Sequence, residues 1–229
     1  MSTAATGRVA AIIPAAGSGV RLGADIPKAF LELGGLSLLT RSALTMSTVA
    51  DILIIAAPVD GLDEASAQVA QVDAEIHIVA GGEHRQESVA NALRMVPDDV
   101  SIVLVHDAAR PLVPIEVTQN VVAAIRGGAK AAIPVLPIVD TIKRVNNQGI
   151  AIETVDRNQL RRVQTPQGFD RATLDLAYRN PEVVATDDAG LMDALGIPVV
   201  TVAGDERSLK ITTMADVQHA LSLLEATSE

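Results

Sequence analysis

A chain of 229 residues, 48% of them apolar, is long enough to bury the core of one large α/β domain, and a formal net charge of −10 argues against a polyanionic partner. Only Phe30, Phe169 and Tyr178 are aromatic, too few to stack nucleic-acid bases, and the absence of cysteine removes disulfides, thiolate nucleophiles and cysteine-bound metals. No apolar run approaches the roughly 18 residues of a membrane span, and Met1 to Arg8 lack the regions of a secretory signal, so a cytoplasmic protein with no nucleic-acid or membrane partner is expected.

Short runs rich in Val, Ile and Ala, separated by segments of helical spacing, read as strands of a parallel sheet buried on both faces. The first, residues 9–13, leads into Pro14-Ala15-Ala16-Gly17-Ser18-Gly19-Val20-Arg21-Leu22-Gly23. Small residues there bare backbone N–H groups to an anion, and one arginine adds charge. Leu22 stands where a dinucleotide fold needs its third glycine, and no Gly-Lys-Ser/Thr follows at P-loop spacing, so the loop is of neither kind. In Ile26-Pro27-Lys28-Ala29 the proline fixes its own φ and restrains its neighbour, which lets Lys28 complete an anion cradle. An acidic chain needs its cations gathered locally in this way to bind a phosphorylated ligand.

Helical spacing follows at 38–46, a strand at 52–57, a helix at 62–69, a strand at 76–79 and a helix at 87–95. The strand at 102–105 ends in His106-Asp107-Ala108-Ala109-Arg110-Pro111, an acid and an arginine just past a carboxyl end, where open α/β sheets bind ligands. Asp107 is the expected Mg²⁺ ligand, because Mg²⁺ takes one or two carboxylates and fills its shell with water and phosphate oxygens. A helix cap is the plainer alternative for Asp107, and His106 reads as a hydrogen-bonded core histidine.

A helix at 115–125 and a strand at 131–135 precede a change of rhythm. Residues 141–145 and 150–155 flank the turn-forming Asn146-Asn147-Gln148-Gly149, a β-hairpin within an arm of about 138–157. A lone hairpin is marginal in water, so this one must pack on its own domain or on a second subunit. Arg161-Arg162 reads as a solvated pair, and Thr186-Asp187-Asp188 as a helix cap followed by acids favourable to the dipole; the last strand is 199–202. No repeat or linker divides the chain, so residues 1–229 are expected to form one domain. The class is α/β: a Rossmann-like, mostly parallel sheet flanked by helices, with the hairpin as a protruding arm.

Further short blocks join those above: Gly81-Gly82, Arg85 with Ser88-Val89, Asp140-Thr141-Ile142-Lys143, Gln164-Thr165-Pro166-Gln167, Thr186-Asp187-Asp188-Ala189 and Lys210-Ile211-Thr212. In order and spacing, over nearly the whole chain, they resemble the 2-C-methyl-D-erythritol 4-phosphate cytidylyltransferase family of the non-mevalonate isoprenoid pathway. Glu83 departs from the aspartate common at that position in the family.

The resemblance implies attack by the phosphate of a small sugar-alcohol phosphate on the α-phosphorus of CTP, with Mg²⁺ as cofactor. It implies main-chain contacts to the triphosphate from Ala15, Ala16, Gly17 and Gly19, with Arg21 and Lys28 stabilising the developing charge. Gly82 and Ser88 fall near the cytosine. The acceptor falls to Arg110, Thr141, Arg157, Thr165, Thr186 and Lys210, of which Arg157 and Lys210 aim its phosphate. Members of the family are homodimers whose arms reach into the neighbouring subunit, so Thr141 and Arg157 are expected to serve the partner's site. Ribitol 5-phosphate as acceptor stays open on motifs alone. So does a non-catalytic CTP-binding regulator, although such a protein is expected to lose Asp107, Arg21 or Lys28, all present here.

Overall fold

A computed structural model of the chain describes residues 7–17, 26–179 and 185–226, so the expected roles of Gly19 and Arg21 lie outside the described residues. The elements are β1 (Arg8–Pro14), β2 (Glu32–Leu33), β3 (Leu36–Ser37), α1 (Leu38–Ser47), β4 (Ile52–Ala57), α2 (Leu62–Val69) and β5 (Glu75–Ala80). They continue with α3 (Arg85–Leu93), β6 (Val100–Val105), α4 (Ile115–Arg126), β7 (Ala131–Pro137), β8 (Ile142–Val145) and β9 (Ala151–Val155). Last come β10 (Arg161–Val163), β11 (Gln167–Asp170), α5 (Arg171–Tyr178), α6 (Asp188–Ala194), β12 (Val199–Ala203) and α7 (Met214–Ala226).

Strands β5, β4, β1 and β6 lie side by side and parallel. All six residues of β4 are buried, as a central strand covered on both faces must be. The side chains of β1 alternate between two cores: Val9, Ala11 and Ile13 face a layer that includes residues of α1, α2 and α4, while Ala10 and Ile12 face α3, α5 and α6. Helix α7 packs separately, through Val217 and Ala220, with Leu33, Leu38 and Ile211.

Beyond β6 the sheet departs from the expected pattern. Strand β11 inserts antiparallel between β6 and β7, β10 pairs antiparallel with the distal end of β7, and β12 runs parallel along the other edge of β7. The mostly parallel sheet is as expected, and α6 follows the expected cap at Asp187; β10, β11 and the helices α5 and α7 are not marked by any pattern in the sequence. The physical reason lies in β11, whose Gln167-Gly168-Phe169-Asp170 contains one large apolar residue and no alternation. Gly168 is required there by close packing, since a Cβ would fall 2.4 Å from Val121 Cγ1. Helix α3 also starts two residues earlier than expected, because Glu87 folds back to accept the N–H groups of Glu83 and His84 and so caps that end.

Strands β8 and β9 form a two-stranded sheet of their own. Asn146 Oδ1 accepts from the N–H groups of Gln148 and Ile150, and Gly149 takes φ +77°, which closes the turn. Arg144 and Glu153 pair across the strands at 2.7 Å, but Val145, Ile150 and Ile152 remain more than half exposed. Among the described residues no helix is long and apolar enough to cross a membrane.

Candidate active site

The carboxyl ends of β1, β4, β5 and β6 meet at one edge, and a cleft of about 180 Å³ opens there. One wall is the loop after β1. Ala15 N–H bonds to Ala56 O at 2.7 Å, and Lys28 N–H reaches Gly17 O at 3.4 Å, so the loop is pinned at both ends. Lys28 opens a short 3-10 turn whose Ala29 and Phe30 are buried, the anchorage that the adjoining proline suggested. On the facing wall Gly81 bonds to Ala57 O, and its lack of a side chain is obligatory because a Cβ would meet that of Ala16 at 2.4 Å. Ser88 Oγ accepts the N–H of Gly82 at 3.0 Å and donates to His84 O, so this buried hydroxyl sets the peptide of Gly82.

Charge gathers at the end of β6. Asp107 Oδ2 lies 2.8 Å from Lys210 Nζ and Asp107 Oδ1 lies 2.9 Å from Arg85 Nε, with Arg110 Nε at 3.9 Å. Burial alone would raise the Asp107 pKa, but Arg85 and Lys210 hold it well below the usual carboxylate range. Arg85 also reaches Asp188 Oδ2 at 2.8 Å. Burial works against its charge, yet Asp188 and Asp107 together hold its pKa above the ordinary arginine value.

His106 is fully buried, and that burial pushes its pKa down to about 4, so the imidazole is neutral near pH 7. Its Nδ1 lies 3.1 Å from Thr165 Oγ1, which in turn accepts the N–H of Asp107 at 3.1 Å. His106 is therefore the core histidine the sequence indicated, and it steadies the backbone that carries Asp107.

Lys210 is placed by its neighbours. Ile211 is fully buried and its N–H bonds to Ala109 O, which ties this segment to the loop after β6. Asp216 accepts the N–H groups of Thr212 and Thr213 at 2.8 and 2.7 Å and their hydroxyls besides, ending the segment in a helix cap. The Thr212 and Thr213 bonds bring the Asp216 pKa down to about 2. A lowered folded pKa means that this stabilisation is complete above the ordinary carboxylate value and is lost as pH falls toward 2. Asp216→Ala is expected to cost about 1 kcal/mol at neutral pH. Urea denaturation at pH 7 checks the size, and the gap from the parent should close in strong acid.

The structure thus brings Ala15, Ala16, Gly17, Lys28, Gly82, Ser88, Asp107 and Lys210 to one cleft. Other expected site residues stand elsewhere in the single chain. Arg110 donates to Ser208 O at 2.7 Å and Val163 O at 3.3 Å, bracing the approach to Lys210. Thr165 is turned inward and only 4% exposed. Thr141 and Arg157 lie exposed on the arm, where Arg157 donates to Val139 O, and Thr186 borders a small separate cavity with Arg85 and Asp188. Asp187 caps α6 through Gly190 N–H and Asp188 stands in the first turn, both as expected, and Asp188 is besides 1% exposed and ion-paired. Arg161 and Arg162 are exposed, as expected.

Arg85 was given no role from sequence, and its place is the chief addition. The signal was faint: a single arginine at the start of a helix, three residues past Gly82.

The chain matches, over residues 9–226, a family model described as 2-C-methyl-D-erythritol 4-phosphate cytidylyltransferase. It is 48% identical to the 2-C-methyl-D-erythritol 4-phosphate cytidylyltransferase of Frankia casuarinae, covering 96% of this chain and 82% of that one. Identity to the enzyme of that name from Saccharopolyspora erythraea is 46%, over 94% of this chain and 99% of that one. Among solved structures, the 4-diphosphocytidyl-2C-methyl-D-erythritol synthase of Anaerococcus prevotii superposes with a TM-score of 0.84 at 28% identity, covering 96% of each chain. The 2-C-methyl-D-erythritol 4-phosphate cytidylyltransferase of Thermus thermophilus superposes with a TM-score of 0.78 at 35% identity, covering 95% of this chain and 99% of that one.

Proposed function

The chain belongs to the 2-C-methyl-D-erythritol 4-phosphate cytidylyltransferase family, and from that premise we propose how its own residues divide the work of the reaction. The enzyme transfers the cytidylyl group of CTP to 2-C-methyl-D-erythritol 4-phosphate, giving 4-diphosphocytidyl-2-C-methyl-D-erythritol and pyrophosphate, a step of the non-mevalonate pathway to isoprenoid precursors. The observation that carries the assignment of roles is Asp107, bracketed by Arg85 and Lys210, across one cleft from the bare loop Ala15-Ala16-Gly17 and Lys28.

No protein nucleophile is needed. A phosphate monoester has a second pKa near ~6, so the acceptor is already largely dianionic at neutral pH and attacks the α-phosphorus itself. The difficulty is to bring two anions together in line and to meet the charge that builds on the α-phosphate and leaving pyrophosphate. The N–H groups of the loop after β1, with Gly19, Arg21 and Lys28, hold the triphosphate. Gly82, its peptide set by Ser88, faces the cytosine. Lys210 aims the acceptor phosphate, with Thr141 and Arg157 supplied by the arm of a second subunit, while Arg110 and Thr165 support Lys210 and Asp107 from behind.

A divalent cation accompanies such a reaction, and Mg²⁺ is assigned to Asp107. The donor set fits Mg²⁺ in kind: Asp107 offers one carboxylate at the cleft wall, and Mg²⁺ uses one or two carboxylates with water and phosphate oxygens. Asp107 lines the cleft and stays ionised at every working pH. When bound there, Mg²⁺ neutralises phosphate charge.

The protein is assigned as a homodimer in the cytoplasm. The arm supports the dimer: a two-stranded sheet with exposed Val145, Ile150 and Ile152 needs a surface to rest on, and Thr141 and Arg157 have no part in the cleft of their own chain. The test is pyrophosphate release from CTP with Mg²⁺, comparing 2-C-methyl-D-erythritol 4-phosphate with ribitol 5-phosphate. Turnover is expected with the former and at least tenfold less with the latter; reversed preference would move the acceptor, and no release with either would sink the enzyme reading.

A further inference from the structure

The arginine absent from the sequence-based roles has a second partner behind it. Arg85 extends one nitrogen to Asp107 at the cleft wall, at 2.9 Å, and another to Asp188, at 2.8 Å. Asp188 is 1% exposed, and its other oxygen accepts from the Tyr178 hydroxyl at 2.5 Å. The turn that carries Asp188 is itself clamped by buried Gln167, which donates to Asp187 at 2.7 Å and accepts from Ala189 N–H at 3.0 Å. Gln167 lies two residues past Thr165, so one strand region supports both carboxylates that grip Arg85.

We infer that Asp188 and Tyr178 are positioning residues for cytidylyl transfer: they hold Arg85 from behind and thereby fix the orientation of Asp107 in the cleft. The inference rests on the reading of that cleft as the CTP site. A guanidinium held only by Asp107 would follow that carboxylate or swing onto the incoming triphosphate. An anion buried behind it keeps the fork in place and offsets its charge, leaving Asp107 to Lys210 and the ligand. Tyr178 closes the chain by fixing the rotamer of Asp188. Burial, and next the charge of Asp188, raise the Tyr178 pKa, so its hydroxyl remains a donor.

The chain contains one tyrosine and no tryptophan, so ultraviolet absorbance reads Tyr178 without background. In the parent enzyme the phenol is expected to resist ionisation beyond the ordinary tyrosine range, and Asp188→Asn should bring its titration back down. Kinetically, Asp188→Asn is expected to lower kcat by about tenfold or more, the scale seen when a group orienting a ligand from behind is removed, with Tyr178→Phe following in the same direction. Because both act through Arg85, neither should lower kcat further in an Arg85→Ala background. Equal losses in both backgrounds, or unchanged kcat in folded Tyr178→Phe, would overturn the inference. Should Asp188→Asn fail to fold, Tyr178→Phe, which removes a single oxygen, carries the test alone. Full activity in Asp107→Asn would instead overturn the underlying reading of the cleft.

Discussion

Lys210→Ala is expected to lower kcat by about 10²–10³-fold while leaving the fold intact, the scale on which removing one preorganised charge-stabilising group acts. Its ammonium lies 2.8 Å from Asp107 and its side chain is 40% exposed, so it faces the cleft and is not part of the core. The segment around it is fixed by other groups, the burial of Ile211 and the Asp216 cap, which the substitution leaves in place. The thermal midpoint should therefore move little. Asp107 keeps Arg85 as a partner, so no buried charge is stranded. Steady-state pyrophosphate release with saturating substrates checks the rate, and calorimetry checks the fold. A variant with near-parental kcat would remove Lys210 from the catalytic group.

Asp107→Asn is expected to damage both stability and activity. Asp107 is 7% exposed and faces Arg85, Lys210 and, at greater distance, Arg110. Removing the shared anion leaves those cations without it, and breaking a buried pair from one side typically costs about 3–5 kcal/mol; the half-exposed Lys210 and the remaining Asp188 partner of Arg85 place this case at the lower end. The depressed Asp107 pKa gives the pH dependence its sign: the contribution is complete above the ordinary carboxylate value and fades only in strong acid, so at pH 7 the full loss is seen. The Mg²⁺ needed for half-maximal activity should rise as well. Denaturation in urea and a Mg²⁺ titration of turnover separate the effects. Unchanged Mg²⁺ dependence in a folded variant would take the metal away from Asp107 while leaving its place between the cations.

Much of this was legible in the amino-acid order. The run Ile52 to Ala57 reads as a strand covered on both faces, which it is, and the small residues of Ala15-Ala16-Gly17 read as a loop that bares its backbone. Local chemistry of that kind is carried by neighbours in sequence, and so are the hairpin turn at Asn146 to Gly149 and the cap at Asp187. Order and spacing of the short blocks sufficed for the family as well.

What tertiary structure alone decided depends on residues far apart in the chain. Strand β11 has no alternation because its neighbours β6 and β7, not its own side chains, bury it. Asp188 looks like an ordinary first-turn acid, and only the approach of Arg85, 103 positions earlier, makes it a buried partner. Lys210 and Asp107 are likewise separated by 103 positions and meet only because Ile211 is drawn into the core beside the loop after β6. Periodicity and capping act over a turn or two of chain, so they reveal elements and their ends. A charge cluster is made by whichever strand ends the fold brings together, and its members need no common pattern in sequence.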